Sequence, residues 1–267
     1  MQAYLESMRT GDVEGARKSQ PGGAGTESSP HGGPQDAFVI AGQGLPADLL
    51  VDRLQTLGSQ AVHKRCGSYT GLVDVYEGRA NATLVHLYDQ RTNSYNIPYV
   101  QRLAPGTPVM VFRLVKRWQG FVVAKGNPRS IASWGALLRD DVRLANRRRG
   151  CGSRILLDEK LIAMEADPWT VKGYESDFPT GLSAARAIAD GLADVAVVGE
   201  QVAAQTDGVD FVRLQPEWLD IVAAKGGRGR ELCRALREFF DDSAFRREYA
   251  RIVQGDAESL GAIVYEC

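Results

Sequence analysis

Apolar residues run without a break through Ala37-Phe38-Val39-Ile40-Ala41 and stop at Gly42, and over 46–54 they return at helical spacing. A buried strand followed by a helix is predicted. The same alternation continues with a strand at 61–64, a helix at 68–77 with Ser68 at its N-cap, and a strand at 82–87. Such a chain builds an α/β fold whose sheet is mainly parallel and flanked by helices. Two further strands, 109–114 and 120–124, precede a second run of the same kind: helix 130–138, strand 142–145, helix 152–162, helix 181–189 and strand 193–198. Strand-like stretches at 211–214 and 218–224 and helices at 230–240 and 243–253 end the chain. The pattern predicts two lobes, one from about 37–120 and 218–267, the other from about 121–217. A ligand cleft between them is expected.

Residues 1–36 differ from all of this. A short helical segment, Ala3-Tyr4-Leu5-Glu6-Ser7-Met8, leads into a stretch rich in Gly, Pro and Ser that offers little to bury. This segment is predicted to be a helical remnant and a flexible tether. It is too short for a helix-turn-helix, so the chain by itself is not expected to contact nucleic acid. It has no charged n-region ahead of an apolar run, and no apolar segment of 18 residues occurs anywhere, so a cytoplasmic chain without membrane contact is expected.

At 267 residues and 44% hydrophobic content the chain can bury a substantial core, and 32 basic residues nearly cancel 33 acidic ones. Recognition must therefore be local rather than a whole-surface charge effect. Cys66, Cys151, Cys233 and Cys267 lack the spacing of a zinc site or a disulfide framework, and His31, His63 and His86 are not grouped with carboxylates. Neither a metal nor a cofactor is expected.

The candidate chemistry concentrates in Asn146-Arg147-Arg148-Arg149-Gly150-Cys151-Gly152-Ser153-Arg154, which runs straight into a predicted helix. Glycines allow close approach, Ser153 brings a hydroxyl, and the helix start directs free N–H groups and the positive end of its dipole at one point. Arg147 and its neighbours supply positive charge. Ser68 repeats the hydroxyl-at-a-helix-start arrangement in the first lobe, and Thr180 with Gly181 repeats it again in the second. Tyr95 and Asn96, in a polar loop before Pro98, are candidate donors from the first lobe. Cys151 beside arginines also has the setting of a reactive thiol, but no base and orienting group accompany it in the sequence. Binding rather than catalysis is predicted.

From about Phe38 onward the chain resembles the type II periplasmic-binding-protein-like family, in particular its molybdate-binding-like branch. The resemblance is carried by Val39-Ile40-Ala41-Gly42, Gly67-Ser68-Tyr69-Thr70-Gly71-Leu72, His86-Leu87-Tyr88-Asp89, Tyr95-Asn96-Ile97-Pro98-Tyr99-Val100, 119–128, 146–154 and Ala193-Asp194-Val195-Ala196. It implies a two-lobed fold that closes on an oxyanion such as molybdate or tungstate, held by hydroxyls and amides from Ser68, Tyr95, Asn96, Arg147, Cys151, Gly152, Ser153, Arg154, Thr180 and Gly181. Gln43-Gly44-Leu45 stands where a Ser-His-Asp type loop is usual, and Cys151 and Ser153 stand where serine and threonine are usual. Members of this branch occur behind helix-turn-helix regions or fused to molybdenum-cofactor biosynthesis enzymes. The expected role is a sensor or regulatory module, with a transporter's solute-binding component or a cofactor-biosynthesis partner as the alternatives.

Overall fold

The computed structural model describes residues 37–267, and the short helix and tether expected at 1–36 lie outside the described residues. Strand β1 (Phe38–Gly42), helix α1 (Leu45–Thr56), β2 (Ala61–Arg65), α2 (Ser68–Tyr76) and β3 (Ala82–Val85) follow the expected order. A short hairpin, β4 (Tyr88–Asp89) and β5 (Ser94–Tyr95), and helix α3 (Ile97–Leu103) come next. Then follow β6 (Val109–Ala124), α4 (Gly152–Ala163), α5 (Gly181–Ala189), β7 (Val195–Gly199), α6 (Glu200–Ala203) and β8 (Val209–Ala224). Helices α7 (Gly229–Asp241) and α8 (Ser243–Ile252) and strand β9 (Ile263–Glu266) complete the chain.

The main sheet has seven strands in the order β2-β1-β3-β8-β6-β7, with β9 also paired to β6. The sheet is mixed, but the expectation of mainly parallel strands is corrected. Among the named strands parallel pairing is confined to β2-β1-β3, because every contact made by β6 and β8 is antiparallel; two isolated bridges, Leu144 with Val195 and Arg147 with Phe178, are also parallel. Two strands expected at 109–114 and 120–124 are one, β6, and those expected at 211–214 and 218–224 are likewise one, β8. The polar run Lys116-Arg117-Trp118-Gln119 stays in the sheet because Arg117 lies opposite Glu217 and forms an ion pair with it across the ladder. Register shifts at Arg113/Val115 and Gln119/Gly120 mark where these long strands change course.

β6 and β8 thus run through both halves of the molecule. In the first half, Leu50 and Leu54 of α1 and Leu232, Leu236, Phe239 and Phe240 of α7 pack with Phe38, Phe112 and Ile221 on one face of the sheet. Leu72, Val75 and Val100 pack with Val111 and Val222 on the other. In the second half the strand period of two divides β6 in the same way. Phe121 and Val123 meet Leu156, Leu157 and Leu161 of α4, while Val122 meets Ala184, Ala185 and Ile188 of α5.

Two other expectations are corrected. The helix at 130–138 shrinks to a 3-10 turn at Trp134–Leu138, because Ser130 adopts a left-handed φ of 51° that interrupts a helix there. The strand at 142–145 is only a bridge between Leu144 and Val195, since the Leu144 amide donates instead to Lys172 O. Among the described residues no helix is long and apolar enough to cross a membrane.

Candidate functional site

Helix starts bring the predicted residues together. α2 begins at Ser68 behind Gly67, and α4 begins at Gly152 behind Cys151; neither carries a side-chain cap. The two starts are clamped to each other. The Tyr69 amide donates to Gly150 O at 3.0 Å, and a methyl added at Gly67 would stand 2.4 Å from Gly150 O. Gly152 is just as constrained, because a methyl there would stand 2.5 Å from both the ring and the carbonyl oxygen of His86. A larger residue at Gly67 would force the helix starts apart, and one at Gly152 would push α4 off His86.

Between them lies a cavity of about 40 Å³, lined by Gln43, Cys66, Gly67, Ser68, Leu84, His86, Arg147, Cys151, Gly152, Ser153 and Leu219. That volume admits a ligand of a few heavy atoms. Among the described residues, the amides of Ser68, Gly152 and Ser153 donate to no other group. The Ser68 hydroxyl accepts from the His86 amide at 3.3 Å, and the Ser153 hydroxyl donates to Gln119 Oε1 at 3.4 Å. Both serines are buried.

Arg147 supplies the charge. It is only 7% exposed, and its guanidinium donates to Phe178 O, Gln43 Oε1, Pro179 O and Cys151 Sγ at 3.2–3.5 Å. Every one of these partners is neutral. Burial draws its pKa below the usual guanidinium range, with the Cys151 sulfur acting in the opposite direction. A buried cation that bonds no carboxylate is costly unless a negative charge is placed beside it.

Behind His86 stands a second charged group. Its Nδ1 pairs with Glu217 Oε2 at 2.9 Å, and Glu217 also accepts from Arg117. Burial pushes the Glu217 carboxyl upward, but Arg117 and His86 outweigh it and hold the carboxyl at about 2. Bonded on both sides, Glu217 fixes the His86 ring against Gly152. Sequence reasoning missed this pair because its members are 131 residues apart, and it also missed Gln43 and Gln119 as contacts.

The remaining predicted residues stand elsewhere. Arg154 is buried but turned away: it bonds Asp158 and Arg147 O and lies 4.1 Å from the Tyr174 ring centroid. Thr180 caps α5 through a reciprocal capping box with Ser183, while Gly181 sits against Arg147, such that a methyl there would come within 3.3 Å of Nη1. Tyr95 accepts from Gln215 through its hydroxyl, and burial pushes that hydroxyl's pKa upward. Asn96 is fully buried with a left-handed φ of 67°; it accepts from the Leu87 amide and donates to Asp220 Oδ2. None of Tyr95, Asn96, Arg154, Thr180 and Gly181 lines the cavity.

A wider cleft of about 550 Å³ lies beside the middle of β6, at Trp118 and Arg213. Both of its arginines are already engaged, since Arg213 pairs with Glu200 at 2.6 Å and Arg117 with Glu217, while the Lys116 ammonium lies 5.5 Å from the Trp218 ring centroid. The small cavity, by contrast, presents buried amides that remain free. Among the described residues no group of three or more His, Cys, Asp or Glu is arranged to hold a metal.

The architecture is that of a ligand-binding α/β fold, with a mixed sheet flanked by helices and helix starts converging at its center. The chain belongs to the PBP superfamily, whose domain description matches residues 51–241. It is 34% identical over 241 residues to the uncharacterized protein YvgK of Bacillus subtilis (strain 168), covering 90% of this chain and 77% of that protein. The regulatory domain of CcmR from Synechocystis PCC6803, solved in complex with 2-PG, superimposes with a TM-score of 0.56 at 11% identity, covering 78% of this chain and 99% of that one. An ABC-type phosphate transport receptor from Vibrio cholerae superimposes with a TM-score of 0.53 at 12% identity, covering 80% and 98%. These two structures share the fold.

Proposed function

We propose that this domain binds a small oxyanion of the molybdate or tungstate type between the starts of α2 and α4, and that it serves as a cytoplasmic sensor or regulatory module. The observation that carries this reading is Arg147, a buried guanidinium whose partners are all neutral, at a cavity where buried amides remain free. Ser68 and Ser153, the amides of Gly152 and Ser153, and Arg147 are the direct contacts, with Cys151 at the cavity wall. Arg154, Thr180, Gly181, Tyr95 and Asn96 hold the frame around them. Fixed donors replace the hydration shell of the anion, as at other helix N-termini.

In this reading the two lobes, about 37–120 with 218–267 and about 121–217, close over the anion, and differential contacts shift the balance between open and closed forms. Isothermal titration calorimetry against molybdate, tungstate, sulfate and phosphate tests it. The expected result is roughly micromolar or tighter binding of the first two. Absence of heat with all four anions would overturn the reading.

A further inference from the structure

We propose that Cys66 and Cys151 are a redox pair that a hydroperoxide converts into a disulfide, latching the first half of the molecule to the second across the cavity. Cys66 follows β2 and Cys151 caps α4, and both line the same space of about 40 Å³. Their backbones already meet, since a methyl at Gly67 would stand 3.0 Å from the Cys151 nitrogen. A disulfide spans Cα separations of roughly 4.4–6.8 Å, which suits chains in such contact. Cys233 and Cys267 stand apart, directed at Ala224 O and Thr107 O.

The two thiols have different surroundings, which orders the steps. Arg147 Nη2 donates to Cys151 Sγ at 3.5 Å, so negative charge on that sulfur is matched by a guanidinium. At Cys66, burial and the Asp74 charge outweigh the Gly42 backbone and Lys64 and favor the neutral thiol. Cys151 therefore attacks the hydroperoxide first; its sulfur bonds to the terminal oxygen, the O–O bond breaks, and the thiol proton leaves with the alcohol or water. Cys66 then attacks the Cys151 sulfenic acid, the S–S bond forms, the S–O bond breaks and water departs. Two thiols lose two electrons and the hydroperoxide gains them. The new bond fills the cavity and takes Cys151 away from Arg147, so that an anion and the disulfide exclude each other; only this last consequence rests on the function proposed above.

The test is hydrogen peroxide treatment of the full chain, followed by peptide mapping without reduction. A linked Cys66–Cys151 peptide that dithiothreitol reverses is expected. Cys66→Ser should leave Cys151 as a sulfenic acid trapped by dimedone, and Cys151→Ser should leave Cys66 unoxidized at peroxide doses that link the unaltered chain. Recovery of both cysteines unlinked while exposed Cys267 is oxidized would overturn the proposal, as would oxidation of Cys66 at an unchanged rate in Cys151→Ser. Calorimetry with molybdate is run separately. A linked peptide without molybdate binding counts against the anion reading alone, and molybdate binding without a linked peptide counts against the redox pair alone.

Discussion

Helices α4 and α5 both begin with a glycine and a hydroxyl in their first turns, yet their free donors differ. At α5 the Thr180 hydroxyl accepts from the Ser183 amide at 3.0 Å and the Ser183 hydroxyl accepts from the Thr180 amide at 3.1 Å, so the helix satisfies itself in an exposed position. At α4, capped by Cys151 without a side-chain bond, the Gly152 and Ser153 amides remain free in a buried position. α2 resembles α4. The capacity of a helix start for an anion is what its own cap leaves unspent, and burial decides how strongly that remainder acts.

The largest effect expected from this contrast is at Arg147. Arg147→Met removes the only buried cation at the α4 start whose partners are all neutral, and anion affinity should fall by roughly 4 kcal/mol, on the order of 1000-fold. Stability of the free protein should not fall, because no carboxylate is left unpaired. Arg154→Met should behave in the opposite way, losing Asp158 and the Tyr174 ring at a cost of roughly 1–3 kcal/mol in urea unfolding while affinity holds. Equal losses of affinity in the two variants would erase the distinction between a ligand arginine and a frame arginine.

The next effect is on pH. The Glu217 carboxyl is held at about 2 against an ordinary value of 4.5, so it contributes stability that is present above about 4.5 and lost as pH falls through about 2. The shift corresponds to roughly 3 kcal/mol. Glu217→Gln should therefore be less stable than the unaltered chain at pH 5, and the gap should close toward pH 2. Unfolding midpoints that stay parallel over that window would show that Glu217 does not brace His86 and the α4 start by its charge.

These groups also show what was legible in the sequence. The starts of α2, α4 and α5 were readable, because glycine and hydroxyl residues ahead of an apolar periodicity are local signals. Lys116 to Gln119 was not, because the charge of Arg117 reads as a break until Glu217, 100 residues away, is placed opposite it. Asn96 looked like a ligand donor but is held by Leu87 and Asp220, the latter 124 residues distant. His86 was set aside for want of a nearby carboxylate, and its partner arrives only when β8 lies beside β3. The shape of each helix start is local information, whereas the charge around it depends on pairing across the sheet.

The hydroxyls sharpen the comparison further. Ser68→Ala and Ser153→Ala each remove one cavity hydroxyl without touching the amides behind it, so each should weaken anion binding about tenfold with little change in unfolding. Unchanged calorimetric affinity in both variants would move the site away from these helix starts.

The smallest effect is the most discriminating for α5. Thr180→Ala deletes one arm of the capping box and should cost about 1 kcal/mol of stability, as N-cap replacements do. Anion affinity should stay the same, because the lost oxygen serves the Ser183 amide and lies outside the cavity. Once the hydroxyl is gone, the Ser183 amide is freed but remains on an exposed turn, where water satisfies it. If affinity instead rose, freed donors at an exposed helix start would be shown to act on the ligand, and burial would not be what separates α4 from α5. If affinity fell, Thr180 would belong to the binding surface, and its cap would be a resting state that the anion displaces.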